Sequence, residues 1–273
     1  MAHKTLISGT AYSVSGGREL IGGTGYAKKK GRVLVNGTGY DIPFSSGIPI
    51  GTIPVGSVVK IGVNGKSYDF LVVNQGIPSN SSLYDSSCDG TWLLMKDIYE
   101  KRRWNSERVN DYANSEINSY LNGAFFAMLD SKSQKAIKEV KIPYRAGSGY
   151  GTGITSGANG RPVKSFLLSA TEVNLGAPYE PPNEGASLSY FNGTKQGTAD
   201  TKRIAYLNGS ATAWWTRSPF CYSDLGARRA ITVTSIGDNG AEDCNVGSWT
   251  GIRPALIVSP KTKVTGDGTY TLA

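Results

Sequence analysis

The spacing of apolar positions divides this chain into regimes with different periods. Residues 5–46 repeat every fourteen: Thr5-Leu6-Ile7-Ser8-Gly9-Thr10-Ala11-Tyr12, then Glu19-Leu20-Ile21-Gly22-Gly23-Thr24-Gly25-Tyr26, then Val33-Leu34-Val35-Asn36-Gly37-Thr38-Gly39-Tyr40. Ser8-Gly9, Gly22-Gly23 and Asn36-Gly37 recur at the same place, and such pairs favour tight hairpin turns because they tolerate positive φ. The repeat therefore predicts a ladder of very short strands over residues 1–46. Three such units are too small to build a core alone. The arm is expected to anchor or oligomerise the chain.

Beyond the repeat, Pro43, Pro49 and Pro54 with several glycines mark a connector, placed at residues 47–57. Period-two alternation then predicts a hairpin over residues 58–73 that turns at Asn64-Gly65. Trp92-Leu93-Leu94-Met95 reads as a short buried strand. Tyr112, Ile117, Tyr120 and Leu121 keep helical spacing behind a capping Ser106, with Asn122-Gly123 as the stop. Ser131 is expected to cap a second helix through Ala136, Ile137 and Val140. Lys141 to Tyr144 reads as extended, Phe166 to Val173 as a buried strand and turn, and 74–90 and 174–202 as polar excursions. The fold class predicted for residues 58–260 is α+β, loop-rich, with two helices, followed by a tail at 261–273.

Composition narrows the function. The 273 residues are 39% hydrophobic and 18% charged, with 35 glycines, as in a loop-rich globular chain. The net charge of +8 is partly local, in Lys28-Lys29-Lys30 and Lys101-Arg102-Arg103, and is read as a solubility feature. His3 is the one histidine, so histidine triads and histidine-ligated metal centres are not expected. Cys88, Cys221 and Cys244 form no Cys-x-x-Cys pair, so neither is structural zinc. Cys221 and Cys244 are close enough in sequence to pair, which would leave one thiol free. The glycine-rich segment from Gly147 to Gly160 lacks the Lys-Ser/Thr that closes a phosphate loop and is taken as a surface loop. No apolar signal region and no membrane span are expected.

The pattern centres on Trp214 to Leu256. Trp214-Trp215-Thr216-Arg217-Ser218-Pro219 opens this stretch and Gly251-Ile252-Arg253-Pro254-Ala255-Leu256 closes it, with 31 polar, strand-forming residues between. The tryptophans are expected in the core. Arg217 and Arg253, if buried, must have their donors satisfied by loop carbonyls or a carboxylate. A stiff frame around a polar segment is the usual construction of a binding surface.

These paired motifs resemble a domain family of gut anaerobes and their phages, as do Thr91 to Met95, Asp111-Tyr112 and Phe166 to Ser169. Asn36 to Ile42 resembles phage tail-associated leaders. The closing Gly-Ile-Arg-Pro-Ala-Leu resembles the last strand of C-type-lectin-like domains of the formylglycine-generating-enzyme type. That fold serves variable receptor-binding proteins of phages and diversity-generating retroelements. Carried over by position, the resemblance implies ligand contact by Tyr222, Ser223, Asp224, Leu225, Arg228, Arg229, Thr232, Thr234, Asp238, Asn239, Glu242, Asp243, Asn245, Ser248 and Trp249. The enzymatic relatives fit poorly: they need a close cysteine pair or three histidines. The calcium signature Glu-Pro-Asn is only approached by Glu180-Pro181-Pro182-Asn183.

The expected function is therefore a non-enzymatic receptor-binding or adhesion protein of a phage tail, without cofactor or metal. Its partners are expected to be a host cell-surface protein or glycan and, through residues 1–46, other tail subunits, most simply in a trimer. Nucleic-acid binding and membrane insertion are not expected. The alternatives are a structural tail or particle component without a ligand, and an envelope-polysaccharide hydrolase using Asp238 with Glu242 or Asp243. Deleting residues 1–46 should abolish attachment of the chain to its particle, and undiminished attachment in a sedimentation assay would remove the anchor role.

Overall fold

Asn64 and Gly65 take φ values of 49° and 74°, which lets Val58–Val63 fold back on Lys66–Gln75 in the expected hairpin. This is the left-handed turn that matches the twist of two strands joined by two residues. The computed structural model describes residues 47–79, 81–147, 153–176, 184–220, 228–245 and 250–273, together with the backbone of six strands between residues 3 and 43. Residues Met1–Gly47 and Ile48–Ala273 form two separate compact units.

In the first unit the repeat becomes three hairpins. His3–Ile7 pairs with Thr10–Val14, Arg18–Ile21 with Thr24–Ala27, and Lys30–Val35 with Thr38–Pro43, all antiparallel. Each register leaves two residues between the paired ends, at the positions of the Ser8-Gly9, Gly22-Gly23 and Asn36-Gly37 pairs. Among the described residues each hairpin is its own two-stranded sheet.

The second unit is α+β and loop-rich, with far more strand than helix and with short helices. Its larger sheet has eight strands in the order Ser165–Phe166, Ala255–Val258, Thr91–Met95, Lys66–Gln75, Val58–Val63, Thr269–Leu272, Lys263–Asp267, Ile48–Pro49. All five residues of Thr91–Met95 are buried, which explains its run of apolar residues without alternation. A second sheet orders Glu100–Lys101, Gly251–Ile252, Trp214–Pro219, Arg229–Val233 and Asn239–Asp243. Gly251 and Ile252 in this sheet lead within three residues into Ala255–Val258 of the other, so the closing motif ties the two sheets together.

Two boundary expectations are corrected here. Residues 47–57 are not a free connector, because Ile48–Pro49 pairs with Lys263 and Val264. Residues 261–273 are not a tail. Lys263–Asp267 and Thr269–Leu272 form a hairpin, and the latter runs parallel to Val58–Val63. Val264 is completely buried. The segment reads as polar because most of its positions face water.

The helical region also departs from expectation. Its cap is Ser115, whose hydroxyl accepts from Asn118 N at 3.2 Å, rather than Ser106. The helix does not stop at Asn122-Gly123. It passes through them as a π turn, Leu121–Phe125, into Phe126–Met128. Asn122 is held by tertiary bonds: its amide donates to Ser165 O at 3.0 Å and its carbonyl accepts from Lys164 N at 2.7 Å. Those bonds outweigh the local preference of Asn-Gly for a turn. The second helix, Ser131–Ala136, is capped by Asp130, which accepts from Ser133 N at 2.9 Å and also from Gly62 N of the hairpin at 2.9 Å.

Removing residues 261–273 should lower stability by about 2 kcal/mol or more, from the lost burial of Val264 alone, and should bare the Val58–Val63 edge to self-association. A truncated chain with an unchanged melting temperature would return the segment to the status of a tail.

Candidate functional site

The frame of the central stretch is built from buried side chains whose polar ends are largely used, with Arg253 Nη1 left without a hydrogen-bond partner. Every residue of Trp214–Pro219 is buried. Trp214 Nε1 donates to Arg203 O at 2.9 Å and Trp215 Nε1 to Arg102 O at 2.7 Å. Arg253 lies over the Trp214 ring at 4.9 Å and donates to Met95 O at 2.8 Å and Lys96 O at 2.9 Å. Its burial pulls the guanidinium pKa down to about 10. Gly251 is required where it stands, since a Cβ there would come within 2.4 Å of Ile98. Both arginines thus satisfy loop carbonyls, as expected from sequence.

Arg217 goes further. Its register shifts out of the ladder between Trp215 and Pro219, and the side chain turns into the core. It donates to Glu172 in two-pronged fashion at 2.5 and 2.7 Å, to Pro143 O at 3.0 Å and to Leu167 O at 3.0 Å. Glu172 also accepts from Tyr84 Oη at 3.0 Å and from Ser169 N at 2.9 Å, while its own N–H donates to Ser169 Oγ at 3.0 Å. A second fully buried carboxylate, Glu184, accepts from the Ser218 hydroxyl and from Arg145 N. One guanidinium is shared by two carboxylates, close to Glu172 and at 3.7 Å from Glu184 Oε1. Burial therefore pushes Glu184 from its ordinary 4.5 up to about 7, against the opposing pull of Arg217.

Neither Glu172, Glu184 nor Arg203 was singled out from the sequence. Glu172 carried a readable signal: Ser169-Ala170-Thr171-Glu172 has the Ser-x-x-Glu spacing of a capping box, and the reciprocal bonds just described realise it. Glu184 carried none, because its burial depends on chain 34 residues away at Ser218. Both carboxylates are buried, and the cluster ties the frame to the loops around it.

The residues between the frame strands divide into three groups. Tyr222, Ser223, Asp224, Leu225, Ser248 and Trp249 lie outside the described residues, as do Cys221 and the segment Glu180 to Asn183. Arg228, Arg229, Asp243 and Asn245 are half-buried and Glu242 is exposed, at one end of the Arg229–Val233 and Asn239–Asp243 ladder. Thr234, Asp238 and Asn239 form its turn. Asp238 N donates to Thr234 Oγ1 at 3.1 Å, and Asn239 Nδ2 to Gly176 O at 3.4 Å. Arg203, fully buried, holds the turn by donating to Gly237 O at 2.8 Å. Thr232 corrects the expected set: it is 1% exposed, because Ala230 to Val233 are buried on both faces of their strand.

At the ladder's open end, Asp243 gathers three arginines. Arg229 Nε lies 3.0 Å from Asp243 Oδ1, Arg228 Nε 3.8 Å from the same atom, and Arg108 Nη2 3.8 Å from Oδ2. Asp238 sits at the opposite end. At ~3.3 Å per residue it is about 13 Å from Glu242 and about 17 Å from Asp243 along the strand, beyond the separation at which two carboxylates work on one glycosidic bond. Among the described residues no group of His, Cys, Asp and Glu is arranged to hold a metal ion. Cys88 and Cys244 are buried free thiols. Burial pushes Cys88 to about 12 and raises Cys244 also, so neither is a ready thiolate.

Glu184 makes stability fall with pH. Between its ordinary 4.5 and its folded value of about 7 the native state holds a proton that the unfolded chain releases. Stability is therefore full below that window, declines through it and is flat above. Glu184→Gln, neutral throughout, should raise the melting temperature at pH 7.5 more than at pH 5. An equal effect at both values would show that Glu184 does not titrate in this window.

Residues 89–260 match the model of a domain family described as "Domain of unknown function (DUF6273)". No curated protein and no solved structure matches the chain. The matched span runs from the residues before Thr91–Met95 to just beyond Ala255–Val258, so it takes in the frame, the buried arginine cluster and the ladder between them. With more than half of its length in this match, the chain belongs to the DUF6273 family.

Proposed function

We propose that this chain is a non-enzymatic ligand-display module of C-type-lectin-like, formylglycine-generating-enzyme-type architecture. On this reading it is carried on a phage tail and binds a host cell-surface ligand through residues 220–250. One observation carries the proposal. The strands on either side of the segment are wholly buried, while the ladder they frame keeps Arg228, Arg229, Glu242, Asp243 and Asn245 at least partly open to solvent. Such a division separates a part that must not change from a part that can.

The arm supports the rest of the reading. Three discrete hairpins, each two-stranded, are marginal in isolation and gain stability from a neighbour, which suits attachment to other tail subunits and assembly as a trimer. The hydrolase alternative is weakened by the distance between Asp238 and the other acidic residues of the ladder.

Tyr222 and Trp249 are the aromatic contacts on this reading, since rings bring area at low entropic cost. The full-length protein should bind envelope fractions of its host, and the paired change Tyr222→Ala with Trp249→Ala should weaken that binding by about tenfold or more. Equal binding by both proteins in a pull-down titration would reject the site.

A further inference from the structure

We propose that Arg108, Arg228 and Arg229 form a binding site for an acidic glycopolymer, taking its phosphate or carboxylate groups. The inference rests on the display reading above and names the ligand class of that surface.

Charge count is the first argument. Each of the other surface ion pairs among the described residues matches one cation to one carboxylate: Lys60 with Asp69, Arg102 with Glu100, Arg103 with Glu116. Among the described residues Asp243 alone serves three guanidinium groups, two positive charges more than it can balance. Like charges held this close repel, and an incoming anion relieves that repulsion. Glu242 does not serve, because successive residues of a strand face opposite sides.

Access is the second. The side chains of Arg108, Arg228 and Arg229 are 53%, 33% and 37% exposed, and Asp243 is 18% exposed. The carboxylate lies behind and the guanidinium groups in front. The cluster is also held in place from two sides. Trp104 N and Asn105 N both donate to Cys244 O at 3.0 Å, Cys244 N donates to Arg228 O at 2.9 Å, and Asn110 Nδ2 donates to Arg229 O at 2.8 Å. Guanidinium forks on a fixed backbone suit the planar oxygens of carboxylate and phosphate.

Unmet hydrogen bonds are the third argument and select the polymer. Arg228 Nε is shielded from solvent and has no hydrogen-bond partner, and so is Asn245 Oδ1 on the adjoining strand end. The first is a donor left 3.8 Å from Asp243 Oδ1, beyond hydrogen-bond reach. The second is an acceptor awaiting a donor, which a sugar hydroxyl supplies and a bare phosphate does not. A nucleic acid would call for a row of phosphate contacts, and duplex DNA is therefore set against the polymers in the test.

The test uses the full-length protein on immobilised poly(glycerol phosphate), polygalacturonate and neutral dextran, with duplex DNA as a competitor. The wild type should bind one or both acidic polymers over dextran, and the stronger of the two identifies phosphate or carboxylate as the group taken. Arg108→Ala with Arg228→Ala, which leaves the Arg229–Asp243 pair, should weaken that binding by about tenfold or more. Lys132→Ala with Lys135→Ala removes the same charge from an exposed helix face and should change it by less than about twofold. Arg108→Lys with Arg228→Lys keeps the charge without the fork and should fall between, which also guards against misfolding of the alanine variant. The proposal is overturned by equal binding to dextran, by equal losses in the arginine and lysine pairs, or by preference for DNA. If host-envelope binding falls with Tyr222→Ala and Trp249→Ala but not with the arginine pair, the display surface stands and this ligand class does not.

Discussion

The structure depends on a buried charge pair. Arg217 and Glu172 meet with no exposure to water, and removing one partner of such a pair costs about 3–5 kcal/mol because the other is left uncompensated. Through its remaining donors Arg217 reaches Pro143 and Leu167, and Glu172 reaches Tyr84 and Ser169. Loops that are far apart in sequence are thereby fixed to one strand of the smaller sheet. Few other devices are available to a chain in which so much of the length is neither helix nor strand. A hydrophobic contact would bury these loops equally well but would not specify their backbone carbonyls one by one.

The same logic recurs at Arg203 and Arg253. Each is fully buried and each donates to main-chain oxygens. Arg203 secures the turn at Gly237, and Arg253 links the closing motif to Met95 and Lys96. The exposed ladder end is thus carried on a base whose polar groups are largely satisfied internally. Solvent-facing positions there are free of packing duties, whereas Thr232 is buried.

Several elements were legible before any coordinates. The Asn64-Gly65 hairpin, the unbroken apolar run at Trp92 to Met95, the buried Trp214 and Trp215 and the two-residue spacing of the arm hairpins all follow from local rules. Each depends on a turn preference, a two-residue period or the size of a ring, and each is written in a few neighbouring residues. Local rules fail where a long-range bond overrides a local preference. Asn122-Gly123 has the chemistry of a stop, yet Asn122 is drawn into the helix by Lys164 and Ser165.

The sequence by itself determined the stiff and pliant parts of this protein, because aromatic bulk, glycine turns and alternation act over a few residues. Tertiary structure alone decided which polar groups meet. Glu184 comes to Ser218, Arg108 to Asp243, and the last residues to the edge of Val58–Val63. These are encounters between segments with no local bias toward one another. Their physical reason is the fold's need to satisfy every buried charge and pair every core strand at once, a condition that no short stretch of chain expresses.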